Sequence, residues 1–553
     1  FHLMNGSVLL YILICLLFVW FVAFLTYYLN KIKIKKELKK IRSDWGKEKT
    51  VYRNYDLIEN FSQLTTTVPF HQLNQQTIND LDIHELFAFI DRTNSKPGQQ
   101  YLYNKLIKPT DNIAELETFN RQVNFFTEQV TDREDAQVLL SQLNHSDAYY
   151  ITTLLKDKFL VKPKWANLLV FNTAGVIAML VLSVKFPVLL IWLIPVFGIN
   201  IFFHYWNKSN INKFIKSFPQ LIKLIQVARS FIKKDLPFDN TGIQQNIDNL
   251  KGFKRKYKLL SFADAGDNEI AQFLLLILEL IKAFFLVEIH SFFSTLKELE
   301  NKKADINSLL NYTGNIDVAL STASLRAGLT SFATPVITAH KKELTARDLY
   351  HPLIENCVVN SITIKQKSLL ITGSNMSGKS TFIRAVAINA VLAQTIYTCL
   401  ATEFAAPILK VFSSIRIADN VQDGKSYYFE EVNTIGSLIE ASEKPFQNLF
   451  IIDEVFKGTN TIERVAAAKA ILTYLNKNEN IILVSSHDIE LVALLHPEFE
   501  LYHFVENIEN DNLVFDHRLK PGPLKSRNAI KILSISNYPA EIIEEANRIA
   551  NKN

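Results

Sequence analysis

The sequence predicts a multidomain fold: transmembrane helices, an all-α core and lever layer, and a C-terminal α/β domain of the P-loop type. Three observations predict it. Residues 373–380 read Gly-Ser-Asn-Met-Ser-Gly-Lys-Ser, which fits G-x-x-x-x-G-K-[ST] between an apolar run and an amphipathic one. Three long uncharged apolar runs lie beside clusters of lysine. The stretches between them place apolar residues at helical spacing.

Composition bounds the reading. At 553 residues the chain is too long for one ordinary domain, and two to four are expected. Hydrophobic residues make up 48%, and the 16 glycines exclude a Gly-rich or collagen-like class. A net charge of +5 is small for this length, so it gives no global nucleic-acid signature. Cys15, Cys357 and Cys399 form no C-x-x-C, which supports neither a disulfide framework nor a zinc site and points to a reducing compartment.

In chain order, residues 8–28 carry no charge and are long enough for a bilayer core, which needs roughly 20 helical residues. Lys31, Lys33, Lys35, Lys36, Lys39, Lys40 and Arg42 follow, so this end is expected to face the cytoplasm. A cleaved signal peptide is the competing reading, but its basic cluster would lie on the other side. Residues 1–42 are therefore expected to be an anchor with a basic juxtamembrane segment. Residues 43–160 read as a helical core. Apolar spacing predicts helices over 77–90, 102–107, 113–126 and 136–143, with Pro97-Gly98 as a break. His84 and His145 stand alone and read as structural or surface residues.

Residues 165–183 and 187–206 are two further uncharged runs separated by Val184-Lys185-Phe186, with lysines on both outer sides. They predict a membrane hairpin within 161–207. Residues 208–345 return to a helical core and lever. Residues 273–285 are very apolar, but Glu279 and Lys282 would be costly in lipid, so a buried helix is expected there. From 346 to 553 strands and helices alternate, as in an α/β nucleotide-binding domain.

The chemistry lies in that last part. Gly373 and Gly378 let the backbone turn its N–H groups onto a phosphate, with the N-terminus of the next helix adding favourable partial charge. Lys379 would neutralise the β- and γ-phosphates, and the Ser380 hydroxyl would bind Mg²⁺. Residues 448–454, Asn-Leu-Phe-Ile-Ile-Asp-Glu, form a buried strand ending in two carboxylates, at the end where open α/β sheets bind ligands. Asp453 is the candidate Mg²⁺ ligand and Glu454 the candidate general base. A third strand, 481–486, ends in His487, which could contact the γ-phosphate or orient the water. Residues 419–429 form a polar turn running into a helix. It reads either as an ordinary turn or as a helix N-terminus presented to a phosphate, including one held by another subunit.

These residues resemble the MutS ATPases. Thr372-Gly373-Ser374-Asn375-Met376-Ser377-Gly378-Lys379-Ser380-Thr381 is similar to that family's phosphate loop, with Ser374 where the family usually has Pro. Asp453-Glu454-Val455-Phe456-Lys457-Gly458-Thr459 and Ser486-His487-Asp488 resemble its two further nucleotide motifs. The 419–431 stretch resembles its signature segment, which contacts ATP in trans. Gly424 and Ser426 match there, while Asp423 replaces a small Ser and would weaken the contact. Residues 81–126 and 306–335 resemble the family's core and lever region. The N-terminal mismatch-reading domain and an obvious DNA clamp are not expected. A membrane hairpin where a clamp-bearing excursion would fall resembles a membrane-inserted subgroup.

The resemblance implies an ABC-type ATPase using ATP and Mg²⁺, acting as a homodimer through its ATPase domain. Each nucleotide would lie between one loop and the partner's signature segment. The expected location is the inner (cytoplasmic) membrane, multi-pass, with the ATPase domain in the cytoplasm. The lipid bilayer and an unidentified protein are the expected partners. The alternative is a membrane-tethered DNA-binding repair or recombination protein, for which the missing reader argues against mismatch specificity. An ABC-like transporter ranks third, because three uncharged spans per chain offer no polar conduit.

Overall fold

Short β-branched runs alternating with helices dominate the C-terminal third, and long helices the rest. The computed structural model describes residues 6–64, 68–155, 167–253, 280–281, 283–286, 298–374, 376–416, 427–456, 460–509, 512–524 and 538–550. Within helices, the side chains of 204–216 and of several residues before 31 are also undescribed. The chain divides into two compact units.

The first unit comprises Phe1–Thr66, Arg92–Leu102 and Gln122–Ala327 and is helical. Its centre is the helix Lys303–Gly328, in which nearly every residue from Tyr312 to Arg326 is buried. Asp317, wholly buried on that helix, accepts from Asn94 N (2.7 Å), Asn94 Nδ2 (3.1 Å), Ser95 N (2.8 Å) and Ser95 Oγ (2.6 Å). It thus satisfies N–H groups at the start of the helix Lys96–Ile107 that would otherwise be orphaned. Pro97 and Gly98 lie in the first turn of that helix rather than breaking it; Pro is tolerated there because its missing N–H has no intrahelical partner. A Cβ on Gly98 would lie 2.0 Å from Asp317 Oδ2, so the close approach requires glycine.

The apolar runs correct the fold-class expectation. Among the described residues no helix is long and apolar enough to cross a membrane. Helix Leu168–Ser183 has 16 residues. At about 1.5 Å per residue it reaches roughly 24 Å, against a hydrocarbon core of about 30 Å. The next run is not a separate element but the start of a 44-residue helix, Leu189–Ile232, containing Pro195 and Pro219. Asn172 Nδ2 bonds Asn200 Oδ1, and Asn200, wholly buried, donates to Phe284 O at 2.7 Å. These two helices are therefore joined by polar contacts as well as by packing. The first run likewise continues unbroken into its basic cluster as the 39-residue helix Gly6–Asp44, whose Arg42 pairs with Glu134 at 2.7 Å. The transmembrane helices, the multi-pass inner-membrane location and the bilayer as partner are corrected on this finding. Most of 273–285 lies outside the described residues.

The second unit comprises Thr67–Asp91, Tyr103–Arg121 and Gly328–Asn553. Its strands are β1 (Val336–Ile337), β2 (Glu343–Leu349), β3 (Asn360–Lys365), β4 (Ser368–Thr372), β5 (Glu403–Ala406), β6 (Lys410–Ser414), β7 (Asn448–Asp453), β8 (Ile481–Ser486), β9 (Phe499–His503), β10 (Glu506–Glu509), β11 (Asn512–Phe515) and β12 (Lys520–Pro521). A six-stranded sheet runs β12-β9-β4-β8-β7-β6, parallel except for β12. A second sheet runs β1-β5-β2-β3, and β10 and β11 form a ribbon. β4 and β8 are buried throughout, and β7 up to Asp453, as parallel strands covered on both faces must be. Leu370, Phe450, Ile452, Ile482 and Val484 pack with Leu438, Leu472 and Leu495 into one core. The register sets Asp453 beside Ser485 and Thr372 beside Ser486, so three strand ends converge at the carboxyl edge.

Within this unit the expected 77–90 helix is two helices, Gln75–Asp80 and Ile83–Ile90, separated at Asp82 with φ 50°. A left-handed residue cannot continue the right-handed turn.

Candidate functional site

The loop after β4 is shaped by three left-handed residues: Gly373 (φ 146°), Met376 (φ 73°) and Gly378 (φ 112°). At Gly373 a Cβ would meet Phe504 O at 2.9 Å, so a side chain there would push the loop off the neighbouring strand end. Ser377 Oγ donates to Ser374 O at 2.8 Å and tightens the turn. Gly378 caps the helix Lys379–Ala393, which begins with Lys379, Ser380 and Thr381. The buried Lys379 Nζ donates to Gly373 O (2.7 Å) and Ser374 O (2.8 Å), so its charge sits at the rim of the loop. Asn375 lies outside the described residues, as do Asp423, Gly424 and Ser426.

The two expected metal-holding residues meet. Ser380 Oγ donates to Asp453 Oδ2 at 2.7 Å across 73 residues of sequence, and Ser485 Oγ donates to Asp453 Oδ1. A hydroxyl and a carboxylate converging at the mouth of a phosphate loop are the hard oxygen donors that Mg²⁺ takes, with water and phosphate completing its shell. The residues present fit that ion.

Glu454 follows at φ 63° and Phe456 at φ 59°, both in a region that costs non-glycine residues about 1–3 kcal/mol each. Two hydrogen bonds from backbone N–H groups hold this turn. Glu454 N donates to Ser485 O (2.9 Å), and Phe456 N donates to Oε1 of the buried Glu431 (2.7 Å). The Glu454 carboxylate is thereby presented to His487, whose Nε2 lies 2.8 Å from Oε1. Arg464 grips Asp488, the next residue, through Nε (2.9 Å) and Nη2 (2.5 Å) and fixes the turn that carries His487.

A cavity of about 400 Å³ opens beside the loop. Its walls include Ser374, Met376, Lys379, Ser380 and Thr381 from the loop and the helix after it, together with His351, Phe504 and His517. His517 Nδ1 faces Ser377 O at 3.0 Å. Burial, aided by the nearby Arg384 charge, pushes His351 down to about 4, so it is neutral at ordinary pH. Sequence reasoning missed His351, Phe504 and His517. They come from three separate segments, and no local spacing marks them.

Comparison with known proteins follows the same residues. Positions 369–552 match the family model described as MutS domain V. Over these residues the chain is MutS-like. The DNA mismatch repair protein MutS of Thermus thermophilus is 30% identical over 262 residues, covering 46% of this chain and 31% of the relative. That of Listeria monocytogenes is 35% identical over 215 residues, covering 36% of this chain and 24% of the relative. The DNA mismatch repair protein MutS 2 of Haloarcula marismortui is 30% identical over 181 residues, covering 32% and 19%. The matches span about a third or less of these relatives' length.

Proposed function

We propose that the second unit binds ATP with Mg²⁺ at residues 373–381 and hydrolyses it. The observation that carries this reading is the convergence of Ser380 and Asp453 at 2.7 Å, beside Lys379 and the Glu454–His487 pair. Ser380 and Asp453 would hold the ion, which supplies neutralising charge to the β- and γ-phosphates when bound. Lys379 adds a second positive charge and the loop's N–H groups cradle the phosphates. Glu454 accepts the proton of the attacking water, and His487 keeps its carboxylate aimed. The 400 Å³ cavity between His351, Phe504 and His517 takes the base and sugar.

The resemblance to the MutS ATPases adds that two chains pair through these units, with Gly424 and Ser426 of one reaching the nucleotide of the other. Binding and hydrolysis would then drive closure and opening. Titration with a fluorescent ATP analogue tests the site. Affinity should rise with Mg²⁺, and Lys379→Ala should weaken binding by about 100-fold, the loss of a charge-assisted phosphate contact. Equal affinity in both proteins would remove the assignment.

A second reading rests on the relatives' names: the ATPase acts on DNA. It predicts binding that collapses between about 50 and 200 mM salt, as counterion release requires. No binding at the lower salt would count against it.

A further inference from the structure

Asp82 is a charged residue in an unusual backbone state, and its carboxylate has two cationic partners. Arg416 holds it with both terminal nitrogens, Nη1 to Oδ1 at 2.5 Å and Nη2 to Oδ2 at 3.0 Å. Arg384 Nη1 donates to the same Oδ2 at 3.3 Å. Asp80, wholly buried, fixes the backbone beneath. It accepts from Ser413 Oγ (2.7 Å), Ile415 N (3.0 Å) and Arg416 N (2.8 Å). The end of β6 is thereby clamped to the 75–83 segment, and Asp82 is set in place between the two arginines.

Arg384 matters because of where its helix begins. It lies four residues after Ser380 on the helix Lys379–Ala393, so the two share one face. Ser380 touches Asp453. The Arg384 side chain is largely covered and feels attraction from Asp82, Asp80 and Asp453 together, while burial and the Arg416 charge push its pKa down. A half-buried cation placed among carboxylates settles on whichever offers the best geometry, because leaving it unpaired is costly. Its partner in the structure is Asp82, and among the other carboxylates that attract it Asp453 is the one at the metal position.

We propose that Asp82 is a positioning residue that holds Arg384 aside and so leaves the Asp453 carboxylate to the divalent cation. This rests on the ATP reading given above and deepens it by naming what keeps the metal position open. Without the Asp82 charge, Arg384 would turn to the Asp453 carboxylate and compete there with the divalent cation. Asp82 touches neither nucleotide nor water; it acts through Arg384.

The test is equilibrium binding of a fluorescent ATP analogue to the full 553-residue chain across a Mg²⁺ series. In Asp82→Asn the Mg²⁺ concentration at half-maximal tightening should rise about tenfold, the weight of one charge-assisted contact, while affinity without Mg²⁺ holds within about twofold. Adding Arg384→Met to Asp82→Asn should restore the wild-type midpoint, which a merely structural role for Asp82 would not allow. Arg416→Gln leaves Asp82 to Arg384 alone and should keep or lower the midpoint, and it tests the proposal even where Asp82→Asn does not fold. An unshifted midpoint in Asp82→Asn, no recovery in the double variant, or a raised midpoint in Arg416→Gln overturns the proposal. If wild-type affinity does not depend on Mg²⁺, the ATP reading fails and the proposal with it. A Mg²⁺-dependent wild type with an unshifted Asp82→Asn removes the proposal alone.

Discussion

The phosphate loop and the apolar helices are the two most strongly patterned stretches of the chain, and their patterns carry different kinds of information. In residues 373–381 each fixed position has a geometric task. Gly373 and Gly378 adopt backbone angles that side chains avoid, Lys379 folds onto the rim, and Ser380 meets Asp453. The motif is a list of contacts. In residues 168–206 the pattern is only low charge and high hydropathy. That composition does not state how long a helix will be, where it will continue, or what its polar residues will bond. Leu168–Ser183 stops at 16 residues, and Asn200 is spent on Asn172 and Phe284. A spacing motif constrains geometry, whereas a hydropathy window leaves it open.

The two units can be pulled apart by pH. His71 in the second unit is held down to about 4 by burial, with its Nε2 at 2.9 Å from Val411 O, and His351 is likewise at about 4. Both start from 6.5, so the folded state binds fewer protons than the unfolded one between these values. Their contribution is fully present above 6.5 and is lost as pH falls toward 4. At pH 5 the loss is about 2 kcal/mol per histidine and about 4 kcal/mol for the pair. In the first unit burial raises Asp317 above the ordinary carboxylate value, against the hydrogen bonds from Ser95 and Asn94. Its linkage has the opposite sign: that contribution improves as pH falls through the raised folded value. Region-resolved proteolysis at pH 7 and 5 should therefore show the second unit weakening first. Equal weakening of both would break the contrast.

A single-residue effect of nearly that size is expected where the helical unit is most specific. Gly98→Ala places a methyl 2.0 Å from Asp317 Oδ2 and should cost about 2–4 kcal/mol through overpacking and disrupted hydrogen bonds to a buried carboxylate. Denaturant unfolding would measure it, and a loss under about 0.5 kcal/mol would contradict the close approach. The smallest effect should come from the apolar helices. Asn200→Leu removes the contacts to Asn172 and Phe284 O and should destabilise by about 1–2 kcal/mol. If leucine stabilises instead, hydropathy outranks pairing there and the comparison loses its second half.

Elements with fully buried, continuous apolar runs were legible at residue level. The expected strand over 481–486 is β8, the 448–454 run holds β7, and the amphipathic run after the loop is the helix Lys379–Ala393. The break at Asp82 was not legible, because the apolar spacing continues across the left-handed turn, and the arginines that pair with the Asp82 carboxylate, Arg384 and Arg416, lie hundreds of residues away. Pro97-Gly98 reads as a breaker locally, yet Asp317 caps the turn from a distant helix. In the site, Lys379, Ser380, Asp453, Glu454 and His487 are each marked by a local strand–turn pattern, whereas His351, Phe504 and His517 become neighbours only through the sheet order.

The central claim is that Asp453 and Glu454, brought to the loop by β7, form a hydrolytic site. Steady-state ATP turnover by Glu454→Gln, with nucleotide affinity measured in parallel, tests it most directly. Turnover should fall by about 10²–10³-fold, the weight of a positioned general base, with affinity retained. Wild-type turnover in Glu454→Gln would contradict it.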